Sequence, residues 1–178
     1  MDATRRHPDP SVSPTVVFVE GESDAVAVRT LAARLGMEPP HVVPVGGSKG
    51  AGRAAADFAG NRLLGLVDAN ERADFERVID TVFVCEHDLE AEFIRALGVQ
   101  GVLGLIELNG EGDSFRRLQT QPFQRGRTPE QQLARFFGGR SGNKLRYATL
   151  MADAVPLERI PPPIAALLEA LAHPPASE

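Results

Sequence analysis

The sequence predicts an α/β domain built on a mostly parallel four-stranded sheet, followed by a helical C-terminal extension. Three observations predict it. Four short apolar runs, at 16–19, 41–45, 63–67 and 81–85, recur through the first half of the chain. Helical patterns separate them, and strand–helix alternation with right-handed crossovers gives a parallel sheet covered by helices. Beyond residue 98 no strong strand pattern remains, and helical signals take over.

Residues 16–19 read as a strand buried on both faces. It runs into Glu20, Gly21, Glu22, Ser23 and Asp24. Gly21 permits a sharp turn, Ser23 suits a helix cap, and Asp24 suits a first turn. The helix covers 24–35, with Ala27, Val28, Leu31, Ala32 and Leu35 on one face and Gly36 at its end. Strand 41–45 enters the glycine-rich stretch 46–52, which reads as a flexible loop at the sheet edge, with a short helix at 53–58. The stretch fits neither of the two common glycine-rich nucleotide-binding patterns. Strand 63–67 ends at Asp68, and Asp68-Ala69-Asn70-Glu71 opens a helix through 77. Strand 81–85 is followed by Glu86-His87-Asp88 and by a helix over 89–97 that Gly98 ends.

The rest is helical. Residues 99–108 are ambiguous in period and are read as helix. Asp113 or Ser114 caps a helix that Pro122 stops, 124–127 is a turn, and Pro129 begins a helix through 137. Gly138-Gly139 breaks it, and Ser141 or Asn143 opens another through 154. Three prolines at 161–163 make a stiff spacer before a short amphipathic helix at 164–171. The organisation is therefore a disordered lead-in at 1–14, an α/β domain at 15–112, a basic helical extension at 113–173, and a frayed tail at 174–178.

Composition narrows the class. A chain of 178 residues can bury a sizeable core. One cysteine, Cys85, excludes an internal disulfide framework and suits a reducing cytoplasm. No apolar run approaches a membrane span, and the N-terminus lacks the apolar core of a signal peptide. A net charge of −5 argues against indiscriminate nucleic-acid binding. The total hides an asymmetry. Residues 115–147 hold eight basic side chains and one acid, net +7, whereas the remainder holds 11 basic and 23 acidic residues, net −12. An acidic body with a basic arm suits an anionic partner gripped by the arm and cations held by the body.

The acids that follow strands one, three and four fall along one sheet edge. With the amide Asn70 they form a set of oxygen ligands, Glu20, Asp24, Asp68, Asn70, Asp88 and Glu90, while Glu71, Glu86 and Glu92 read as ordinary surface residues. Helix dipoles account for acids such as Glu22 or Asp24, but not for Glu20, which ends an apolar strand. An all-oxygen cluster with no cysteine–histidine pattern favours Mg²⁺ or Mn²⁺ over Zn²⁺.

Val-Glu-Gly-Glu-Ser-Asp at 19–24 resembles the first motif of Toprim domains, shared by topoisomerases, primases, recombination factors and OLD (overcoming lysogenization defect) family nucleases. The OLD subset is the more similar. Asp-Leu-Glu-Ala-Glu at 88–92 resembles the acidic stretch of those nucleases, with Glu90 in the glutamate's place, and Gly142-Asn143-Lys144 resembles their C-terminal lysine element. The resemblance spans about 16–154 and implies a Toprim-type, Rossmann-like sheet and metal-dependent hydrolysis of DNA phosphodiesters. It implies two Mg²⁺ or Mn²⁺ ions on Glu20, Asp24, Asp68, Asn70 and Glu90. Glu20 would also serve as general base or acid, and Lys144 would neutralise transition-state charge. Lys49, Arg116, Arg125, Arg127, Arg140 and Arg146 would hold the DNA backbone without reading sequence.

Two departures matter. The family's Asp-x-Asp stands here as Asp68-Ala69-Asn70, so one charge is missing unless Glu71 replaces it. OLD proteins usually carry an ATPase, and this chain has no ATPase motif, so a separately encoded ATPase partner or a domain working alone is expected. Self-association stays open. Two rivals remain: another Toprim nucleotidyl-transfer activity, for which Tyr147 is the lone tyrosine, and a non-catalytic module that binds nucleic acid or an ATPase.

Overall fold

The computed structural model describes residues 14–139 and 142–174, and only the backbone of Ser48. The expected lead-in up to residue 13, the tail from 175, Arg140 and the Ser141 cap lie outside the described residues.

Four strands form one all-parallel sheet: β1 (Thr15–Val19), β2 (His41–Pro44), β3 (Arg62–Asp68) and β4 (Thr81–Cys85), in the order β2-β1-β3-β4. Val19 aligns with Pro44 on one side and Leu66 on the other, and Asp68 aligns with Cys85. All four strands therefore end at one edge. The chain steps outward from β1 to β2, then crosses back over β1 to β3. The order reverses between β1 and β3, which makes a crevice beyond their carboxyl ends.

Alternating side chains of the strands face two cores. Val17, Val19, Leu64 and Leu66 join α1 (Glu22–Arg34), α4 (Leu89–Leu108) and the later helices α5 (Gly112–Gln119), α6 (Pro129–Gly138), α7 (Asn143–Ala154) and α8 (Pro162–Ala172) in one continuous apolar cluster. Val16, Phe18 and Val67 face α2 (Ser48–Asp57) and α3 (Arg72–Phe75) through Ala51, Phe75 and Ile79. The prolines at 161–163 set the start of α8, which returns to the sheet: the Arg62 guanidinium donates to the Ala170 carbonyl at 2.9 Å.

Three local expectations need correction. Helix α1 begins at Glu22 behind an extended Gly21, so Ser23 is buried inside the first turn and does not cap it. The glycine-rich stretch is not a flexible loop. Gly46 and Gly47 turn with φ of 70° and 88°, and α2 starts at Ser48. Gly50 packs so closely on the end of β2 that a Cβ there would stand 1.7 Å from the Val45 carbonyl oxygen. Its glycine serves close approach rather than freedom. Gly98 breaks helical geometry, with φ 73° and ψ 155°, but a second helical stretch follows at once, so α4 reaches Leu108. Among the described residues no helix is long and apolar enough to cross a membrane.

Candidate functional site

Three helix N-termini meet at the carboxyl edge of the sheet. Helix α1 leaves β1 there with Asp24 in its first turn, and α4 leaves β4 there with Glu90 in its first turn. Helix α7 lies alongside α1 in the same direction. The Arg34 guanidinium, at the last turn of α1, donates to the Ala152 and Val155 carbonyls at the end of α7, at 2.6 and 2.7 Å. The opposite ends of both helices, with Glu22, Ser23 and Asp24 on one and Gly142 and Lys144 on the other, line one cleft of about 490 Å³ together with Glu20, Gly46 and Leu145. Gly142 makes the entry to α7 with φ 84°, and Asn143 ties that entry to α6 through the Phe136 carbonyl at 3.5 Å.

Each acid is held by its own local device. The Gly21 N–H donates to Asp24 Oδ2 at 2.8 Å, the reciprocal half of a capping box, and leaves Asp24 only 8% exposed. Asp88 caps α4 by accepting from the Ala91 N–H at 2.7 Å. Glu90 is 4% exposed; its Oε2 lies 3.5 Å from Lys144 Nζ, and its Oε1 is buried with no hydrogen-bond partner. Asp68 ends β3, half-buried.

These carboxyls share one electrostatic environment. Burial, then the neighbouring Glu20, Asp24 and Asp88, push Asp68 up to about 7. Burial, with Asp88 and Asp24 adding to it against Lys144, pushes Glu90 up to about 7. Asp24 is raised by burial against the opposing Gly21 N–H and Lys144. Burial opposes the charge on Lys144, yet Glu90, Asp24 and Asp68 together raise its pKa. Glu20, Asp24, Asp68, Glu90 and Lys144, singled out in the sequence, therefore act on one another through space. Asp88, read from the sequence as one of the acids at this edge, acts on Asp24, Asp68 and Glu90 as well.

Other expected residues sit elsewhere. Asn70 is exposed in the turn after β3. Glu71 is not an ordinary surface acid: its carboxylate lies about 3.5 Å from where a Cβ on Gly47 would stand, with Oε2 buried and unpaired. Glu92 is not on the surface either. It is 5% exposed, accepts from the Glu86 N–H at 2.9 Å and pairs with Arg95 at 2.6 Å, fastening the β4–α4 turn. Lys49 is exposed on the first turn of α2 and does not line the cleft. Arg116 is engaged by Glu107 and Asp113, and Arg146 by Glu111 and Asn109. Arg125 and Arg127 are exposed in the turn before α6. Tyr147 is fully buried and donates to Glu111 Oε2 at 2.6 Å.

Among the described residues no three or more His, Cys, Asp or Glu side chains are already gathered as metal ligands. The donors nonetheless fit a hard cation. They are carboxylate oxygens, one buried oxygen of Glu90 lacks a partner, and burial, with neighbouring acids adding to it, holds Asp68 and Glu90 above the ordinary carboxylate range.

No protein-family model matches this chain, and no curated protein does. Solved structures do. The C-terminal region of the Burkholderia pseudomallei OLD protein is similar with a TM-score of 0.64 and 18% identity, over 90% of this chain and 97% of that one. The C-terminal region of the Xanthomonas campestris pv. campestris OLD protein is similar with a TM-score of 0.58 and 20% identity, over 90% and 98%. With its four parallel strands and the helices around them, this chain has the Toprim-type α/β fold of the C-terminal region of OLD proteins.

Proposed function

We propose that the chain is a metal-dependent nuclease that nicks or cleaves DNA by phosphodiester hydrolysis. The observation that carries this reading is Lys144 at the first turn of α7, 3.5 Å from the buried Glu90. A cation at a helix N-terminus opposes the helix dipole. Packing alone gives no reason for it, whereas a lysine over an acidic cleft can meet both a metal-binding carboxylate and a substrate phosphate.

Glu20, Asp24, Asp68 and Glu90 would hold Mg²⁺ or Mn²⁺. Asn70 would add a neutral carbonyl oxygen from the turn after β3. Two bound ions would supply an activated water and a stabilised leaving oxygen. Glu20, at the cleft mouth, would take the proton of the attacking water. Lys144, half-exposed, would offset negative charge developing on the phosphate. The buried Asp24 and Glu90 keep their positions through the Gly21 N–H and Lys144.

The test is nicking of supercoiled plasmid across a panel of divalent metals. Activity with Mn²⁺ or Mg²⁺ that Glu20→Ala abolishes is expected. DNA binding without cleavage under every metal would overturn the nuclease reading in favour of a non-catalytic binding module. That second reading has one specific support, the exposed, uncharged Asn70 at a position where the resembling nucleases carry an acid.

A further inference from the structure

The basic arm divides into arginines the protein already uses and arginines it does not. Arg116 and Arg146 are paired with Glu107, Asp113 and Glu111. Arg117 and Arg135 have no carboxylate within ion-pair distance among the described residues, and Arg117 meets Asp113 only through a longer-range attraction. Arg117 donates only through Nε, to the Asp113 carbonyl at 3.3 Å, so its terminal nitrogens point onward without an ion pair. Arg135 folds along the end of α6, where its Nη1 lies 3.3 Å from the position a Cβ on Gly139 would take. Both line a groove of about 350 Å³ between α5 and α6, together with Ser114, Gln121 and Gly139.

The groove's place matters as much as its charge. Gly139 lines it, and Gly142, three residues on, lines the acidic cleft. Three Cα steps span at most about 11 Å, which is roughly three nucleotides at a 3.4 Å rise per strand. Two unpaired guanidinium groups beside a hydroxyl and an amide suit phosphate oxygens. The walls carry no acid, whereas the neighbouring cleft is acidic.

We propose that this groove holds the sugar–phosphate backbone of a nucleic-acid strand a few nucleotides from the phosphate in the acidic cleft, with Arg117 and Arg135 as its two phosphate contacts. The proposal rests on the reading of the cleft as a phosphodiester site, and it adds residues and a path that the cleft does not itself supply. No atom of the groove takes part in bond breaking.

The test measures binding in EDTA, where cleavage is absent. A fluorescein-labelled 30-nucleotide single strand is titrated with the full chain over a range of salt. Each phosphate contact contributes about 0.7 to the slope of log affinity against log salt for a single strand. Arg117→Gln/Arg135→Gln is expected to lower that slope by about 1.4, and Arg117→Lys/Arg135→Lys to retain it. Arg72→Gln/Arg77→Gln, which removes the same charge from exposed sites on and after α3, is expected to leave it unchanged. Equal slopes for wild type and the glutamine variant at matched thermal midpoints would overturn the proposal, as would wild type that binds no strand. Displacement of the strand by a single nucleotide at matched ionic strength would also overturn it. Wild type that nicks plasmid while the glutamine variant keeps its slope removes the groove and spares the nuclease reading. A lowered slope with no nicking does the reverse.

Discussion

Lys144 Nζ stands 3.5 Å from Glu90 Oε2, and the lysine side chain is half-exposed while the glutamate is buried. The two do not depend on each other equally. Water can serve Lys144 if Glu90 is removed, whereas Glu90 has no other ion-pair partner among the described residues and already carries one unpaired oxygen. Lys144→Gln is therefore expected to destabilise the fold at pH 8 by about 1 kcal/mol, a value discounted for the lysine's exposure. Glu90→Gln/Lys144→Gln should recover most of the loss, because the buried charge goes with its partner. Urea unfolding of the two single variants and the double variant measures the coupling. A double variant as unstable as the sum of the singles would remove the pair's significance.

The raised acids set a sign for pH. Asp68 and Glu90 are pushed up to about 7 in the folded state from ordinary values of 3.8 and 4.5. Between those limits the native state binds more protons than the unfolded one, so stability falls as pH rises. The loss is complete above about pH 7 and absent below the unfolded values. The melting temperature of metal-free protein is expected to fall by roughly 3–6 °C from pH 5 to pH 8. Asp68→Asn should flatten that fall. If the acids hold a divalent ion, Mn²⁺ should restore stability at pH 8 and have little effect at pH 5, where protons compete. A midpoint that rises with pH over this range would contradict the electrostatic account.

Much of this edge was legible because it depends on local signals. Short apolar runs marked the strands, and an acid after such a run marked Glu20 and Asp68 at the ends of β1 and β3. Their pairing into a crevice followed once helices were seen to separate the strands. What was not legible depends on partners distant in sequence or on a glycine's less common use. Gly50 reads as flexibility until the Val45 carbonyl is seen against it. Glu92 reads as solvated until the fold delivers the Glu86 N–H and Arg95. Arg116 and Arg146 read as free cations in a basic run, and only the return of the chain between α4 and α5 brings them Glu107 and Glu111.

Tyr147 separates hydrolysis from strand-passing chemistry. Its ring is fully buried against Phe136 and Phe137, and its hydroxyl donates to Glu111 Oε2 at 2.6 Å. Burial, with Glu111 adding to it, raises its pKa well above the ordinary value, which is the wrong direction for a nucleophile. Tyr147→Phe is expected to cost about 1 kcal/mol of stability through the lost hydrogen bond. Plasmid nicking should continue at a rate close to wild type, and no covalent protein–DNA adduct should survive denaturation. An adduct that Tyr147→Phe abolishes would replace hydrolysis with a tyrosine-linked mechanism.

In the proposed metal site, Asn70 is the ligand that would set how strongly a cation is held. It lies two residues beyond Asp68, exposed in the turn that leaves β3, so a carboxylate there meets little desolvation. Asn70→Asp adds one charge two residues beyond Asp68, and ligand charge is a main determinant of affinity for hard cations. The Mn²⁺ concentration for half-maximal nicking is expected to fall about tenfold, with the stability of the metal-free protein unchanged or slightly lower. The slight loss follows from one more acid beside a carboxyl already pushed up to about 7. Isothermal titration with Mn²⁺ gives a readout that does not require cleavage. If Asn70→Asp binds Mn²⁺ no more tightly while Asp68→Asn abolishes binding, the turn supplies no ligand, and the proposed site consists of Glu20, Asp24, Asp68 and Glu90 alone.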